Sequence, residues 1–96
     1  MDLQIGQIVF SKAGKDRGCA FIVVGVDSEK GSEYALLVDG KSRRVENPKR
    51  KKAKHLQPTN IVDAGIVQLI TSQTQLKDAD FRTALKRWNK EECSHG

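Results

Sequence analysis

Little in this 96-residue chain speaks for catalysis or for a cross-linked or metal-built fold. Its two cysteines, Cys19 and Cys93, and two histidines, His55 and His95, give neither a disulfide framework nor a zinc site. A structural zinc site takes about four such ligands at regular spacing. Cys19 opens an apolar run and reads as a small buried hydrophobe, whereas Cys93 falls in a polar tail. No apolar run approaches the roughly 18 residues of a membrane-spanning helix. The leading MDLQIG lacks the basic-then-apolar layout of a secretory signal, so a cytoplasmic location is expected. No Ser-His-Asp, Cys-His or paired-carboxylate arrangement stands out. The expectation is therefore no enzyme, no cofactor, no metal and no small-molecule substrate. Aromatics are only 5% of the chain. Readers of splayed single-stranded bases depend on aromatic platforms, so this scarcity favours recognition by shape and backbone.

What the chain has is positive charge, unevenly placed. Lys and Arg number 17 against 12 Asp and Glu, for a net charge of +5. The window Lys41 to His55, KSRRVENPKRKKAKH, alone carries +7, so the remaining 81 residues sum to −2. Such concentration points to a polyanion met at one place. The candidate phosphate-binding residues in the window are Lys41, Arg43, Arg44, Lys49, Arg50, Lys51, Lys52 and Lys54, with His55 a polar neighbour. A second candidate is the loop KAGKDR, which offers Lys12, Lys15 and Arg17. Gly14 and Gly18 free its backbone for a sharp turn, whose N–H groups can also reach phosphate. That loop lacks the G-x-x-x-x-G-K-[ST] pattern of a nucleotide-binding loop and joins two strands.

Around these windows the pattern predicts short strands. Gly6 to Ser11 reads as a first strand. Cys19 to Val26 has no polar side chain and is rich in β-branched residues, as in a strand buried on both faces. Gly25 marks a bulge within it. Asp27 to Glu33 reads as a loop, and Tyr34 to Val38 as a third strand. Asp39-Gly40 is a two-residue hairpin signal, with Gly40 as a structural turn residue leading into an edge strand over Lys41 to Glu46. Pro48 ends that strand, Lys49 to Lys52 read as a basic loop, and Ala53 to Pro58 as a short fifth strand. Beyond Pro58, apolar residues from Ile61 to Ile70 recur at helical intervals, with Gly65 a weak point. Phe81, Ala84, Leu85 and Trp88 then line one face of a second helix, with Asp78 and Asp80 at its start and Lys86, Arg87 and Lys90 near its end. Leu76 and Phe81 are placed as a hydrophobic staple. The fold class is mainly β: a small five-stranded barrel domain over residues 1–60, then a helical extension over residues 61–92.

The stretch Ile8 to Asp27, IVFSKAGKDRGCAFIVVGVD, resembles a KOW motif, with Gly18 at the position of the motif's fixed glycine. Leu37 to Lys41, Arg43 to Lys49 and Lys54 to Leu56 extend the likeness to small bacterial KOW-domain RNA-binding proteins. These in turn are similar to the fourteen-e family of large-subunit ribosomal proteins. The resemblance spans about residues 4 to 60. It implies an SH3-like barrel that binds ribosomal RNA through its loops and basic strand, on or near the large subunit, beside other ribosomal proteins. The alternative is a KOW protein-interaction module that contacts the transcription or translation machinery through its apolar helical face.

Overall fold

A computed structural model describes residues 3–88 of the chain. They form a five-stranded antiparallel sheet followed by two α-helices. In chain order these are β1 (Gln7–Ser11), β2 (Ala20–Glu29), β3 (Ser32–Val38), β4 (Lys49–Lys52), a single 3-10 turn (Ala53–His55), β5 (Leu56–Val62), α1 (Ala64–Thr71) and α2 (Asp78–Trp88). The strands lie in the order β4-β3-β2-β1-β5, so β4 and β5 are the edges. The sheet is open. Among the described residues β4 pairs with β3 and β5 with β1, and no pairing joins the two edges.

The uninterrupted apolar run in β2 has a direct explanation, because successive strand side chains point to opposite faces. Phe21 and Val23 enter one core with Val9, Ala35, Leu37, Cys19 and Leu56. Ile22 enters a second core with Ile8 and Val38, where the helices contribute Ile66, Phe81 and Ala84. Two-sided burial ends at Gly25, where the register to β3 slips between Val23 and Gly25, as the glycine predicted. From there β2 runs on into solvent, with Val26 46% exposed.

Three expectations along the sheet need correction. Residues 27–29 and 32–33 are not loop; they extend β2 and β3 into a hairpin closed by Lys30 and Gly31. Both turn residues have positive φ, 51° and 82°, as a type I′ turn requires. Asp39-Gly40, by contrast, does not start a hairpin. The Asp39 carboxylate accepts from the Lys41 and Arg43 backbone N–H groups and the Ser42 hydroxyl, each at 2.8 Å. These bonds curl residues 39–43 into a compact turn, and local side-chain bonding of this kind competes with strand pairing. Consequently Lys41 to Glu46 is loop, and the edge strand is the segment Lys49–Lys52 that the sequence suggested was loop. Pro48 precedes that strand instead of ending one. Finally, Ile61 and Val62 close β5, and α1 begins only at Ala64. Gly65 therefore lies in the first turn, where its cost is small.

Cys19 is buried as expected, but it is disulfide-bonded and not a free thiol. Cys93, Lys90 and His95 lie outside the described residues. The expected staple residues Leu76 and Phe81 both belong to the helix-side core. Trp88 differs from the rest of its stripe: it is 45% exposed and is anchored through its indole N–H.

That anchor is Asp63, which is 2% exposed. Its Oδ1 caps α1 by accepting from Ile66 N at 3.0 Å. Its Oδ2 accepts from Trp88 Nε1 at 2.8 Å and Arg87 Nη1 at 2.9 Å. One carboxylate thus joins the end of β5, the start of α1 and the last turn of α2. Replacing Asp63 with Ala is expected to destabilise the protein by about 2–3 kcal/mol, from a lost cap and lost charge-assisted bonds. Asp63→Asn, which keeps a capping oxygen, is expected to lose less. Urea titration followed by fluorescence of Trp88, the one tryptophan in the chain, measures both.

Candidate nucleic-acid interface

Four consecutive cations, Lys49 to Lys52, hold the edge strand, and their side chains alternate in direction. Lys51 lies opposite Ala35 and Lys49 opposite Leu37, both partners being core residues. The Lys51 stem crosses this core and is only 10% exposed. Its ammonium meets Asp16 Oδ1 at 2.7 Å, Ser11 Oγ at 2.7 Å and the Ala13 carbonyl at 2.8 Å. An ammonium has three donors, and all three are taken. Lys49 Nζ lies 3.0 Å from Asp16 Oδ2. That oxygen is buried and makes no well-angled hydrogen bond, so the Lys49 charge is what balances it.

On the other side of the strand Arg50 stacks over the Tyr34 ring, 3.7 Å from its centroid. It also pairs with Glu29 at 3.0 Å and Asp27 at 3.4 Å. Lys52 is half-buried and, with Lys54, lines a surface depression of about 280 Å³. Three of the four strand cations are thus already matched to carboxylates of this chain.

Asp16 is the residue that sequence reasoning missed. It is a lone acid among the cations of the 12–18 loop, and its position there was the available signal. Burial alone would raise its pKa. The hydrogen bonds from Lys51 and Ser11, together with the nearby charge of Lys49, outweigh that and hold the carboxyl well below its ordinary 3.8. The bonds also lock the loop to β4. Gly14 and Gly18 take φ of +87° and +86°, which lets the chain double back so that Gly18 N donates to Ser11 O at 2.9 Å. Lys12 N donates to the His55 carbonyl at 2.8 Å, tying the same loop to the 3-10 turn. The two basic windows are joined at this corner. Lys12, Lys15, Arg17 and Lys54 are exposed around it, and His55 is half-buried.

The 39–48 loop is held by a different element. Asp78 Oδ1, at the start of α2, accepts from Val45 N at 2.8 Å, and Arg82 Nη1 donates to Gly40 O at 2.7 Å. Gly40 has φ +79°, and a Cβ there would strike the Asp78 carbonyl. Asp39, Asp78 and Arg82 were likewise not legible as organisers of the basic loop. Lys41 and Arg44 stand exposed on it, and Arg43 is half-buried. Because Ile22 pairs with Val38, β2 begins where β3 ends. The 12–18 and 39–48 loops therefore emerge at the same end of the β2–β3 pair. The hairpin at its opposite end carries Asp27, Glu29 and Glu33 against Lys30.

Among the described residues no cluster of His, Cys, Asp and Glu could hold a metal, and no helix is long and apolar enough to cross a membrane. No family model matches the chain, and no curated protein matches it at a significant level.

The depressed Asp16 pKa fixes a pH dependence. A carboxyl whose folded pKa lies below its unfolded value contributes its full stability above the unfolded value and loses it as pH falls. Asp16→Asn is therefore expected to cost roughly 2–4 kcal/mol near neutrality, since it leaves Lys51 buried without its counter-charge. The gap from wild type should begin to close once the pH falls below the ordinary value of 3.8. Urea midpoints measured across the acid range test this; a gap independent of pH would contradict it.

Proposed function

We propose that this protein binds structured RNA, specifically ribosomal RNA of the large subunit, by neutralising phosphates on a rigid frame. The observation that carries the reading is the convergence of both basic windows at one end of the β2–β3 pair. There Lys12, Lys15, Arg17, Lys41 and Arg44 are exposed and have no ion-paired carboxylate among the described residues, and Lys54, likewise exposed and unpaired among them, lies beside Ser32 and Glu33. These six make the primary phosphate contacts. Arg43, Lys52 and His55, partly covered, contribute at the margins, and Lys49, Arg50 and Lys51 serve chiefly to hold the frame.

With this goes the finer reading of the sheet as an SH3-like KOW barrel. Its two edge strands follow one another in sequence, separated by the three residues Ala53–His55, which brings the edges toward one corner. A cytoplasmic, ribosome-associated protein is the natural setting. The alternative, an interaction module working through the apolar helical face, has less to draw on. Ile66, Phe81 and Ala84 are already buried against the sheet.

Six neutralised phosphates give a slope of roughly −4 to −5 in log K against log[salt]. Replacing Lys12, Lys15, Arg17 and Lys54 together with Gln is expected to reduce its magnitude by about three units. Anisotropy titrations with a ribosomal RNA fragment at several salt concentrations measure both slopes. A nearly flat wild-type response would rule the reading out.

A further inference from the structure

The charged loop 39–48 is held more firmly than a solvated charge run needs to be. Asp39 shapes it from within, while α2 grips it through Asp78 and Arg82 and through the close approach of Gly40. Asp78 and Arg82 are four residues apart, one above the other on the helix, and Lys86 is the next step along the same line. Past the gripping residues, then, the helix carries Lys86 beside the loop. At about 100° per residue, Asp80 lies about 160° round the helix from Arg82. Arg87 is turned away as well, toward Asp63. Asp78 is occupied with Val45 N, so no other acid of α2 lies on this stripe. Arg82 spends one guanidinium N–H on Gly40 O and is exposed, which leaves further donors for a ligand.

We propose that α2 is the second half of the phosphate-binding surface: Arg82 and Lys86 stand beside Lys41, Arg43 and Arg44, so that an RNA backbone crossing the loop continues onto the helix. This rests on the RNA-binding reading and assigns the C-terminal helix a direct part in it. A loop whose cations are fixed in advance loses less freedom on binding than a mobile one. The grip of α2 on the loop is how the fold supplies that fixation.

The test uses Lys86, which is exposed and makes no side-chain hydrogen bond or ion pair among the described residues, so that folding and binding stay separable. Lys86→Gln is compared with Lys30→Gln at the tip of the hairpin, which changes the net charge equally but lies at the far end of β2 and β3. Lys54→Gln reports on the first half of the surface. The readout is anisotropy of a labelled ribosomal RNA fragment against salt, with circular dichroism to verify the fold. Lys86→Gln is expected to weaken binding about fivefold at about 0.15 M salt and to reduce the slope by about 0.8, one lost counterion release. Lys30→Gln should leave both unchanged. If Lys86→Gln matches Lys30→Gln while Lys54→Gln weakens binding, the role of α2 is overturned and the RNA reading stands. If the wild type itself shows no salt-dependent binding, both fall together.

Discussion

Everything in this fold hangs on the burial of β2 from both sides. Phe21 and Val23 face one core and Ile22 the other, and no further than Gly25 can that arrangement be sustained. A chain of this size has a small core, and dividing it between two faces leaves each part dependent on the wall they share. On one face the sheet covers itself, helped by Leu3, Ala53 and Leu56. On the other, the helices supply the cover, clasped to the end of β5 by Asp63. The position of each basic loop follows from this wall, because both loops are attached at the end where β2 begins and β3 stops.

Charge is used in two distinct ways on this frame. Lys49, Lys51 and Arg50 face carboxylates of the same chain and turn an edge strand without apolar side chains into a stable one. An edge so covered with charge also resists pairing with foreign strands. The cations of the two loops have no carboxylate partners among the described residues. Asp16 divides the two groups: it pairs with two of the β4 cations, Lys49 and Lys51, while positioning the loop that carries Lys12, Lys15 and Arg17.

Parts of this were readable in the residues alone. The eight-residue apolar run announced a doubly buried strand, and the spacing of Phe81, Ala84 and Leu85 announced a helix with one buried face. Both signals lie within one short stretch of sequence and owe nothing to distant partners. The hairpin was misplaced because Asp39-Gly40 has the favoured turn composition, whereas Lys30-Gly31, the actual type I′ turn, does not. Lys49–Lys52 was misread because its strand state is set by Ala35, Leu37, Tyr34 and Asp16, all remote in sequence. The same remoteness hid the site's internal wiring. Which residues were cationic could be counted, but which of them were already spent depended on tertiary contacts with Asp16, Asp27 and Glu29.

The β2–β3 hairpin and the loops beyond its far end differ in how their charge is spent. Near the tip Asp27 and Glu29 face Arg50, and Glu33 shares a surface depression with Lys52 and Lys54, so charges of both signs meet there and offset one another at close range. The 12–18 and 39–48 loops carry cations without such partners among the described residues. The field of the molecule is therefore one-sided: the hairpin end is electrically quiet, and the loop end projects a positive potential as far as ionic strength allows.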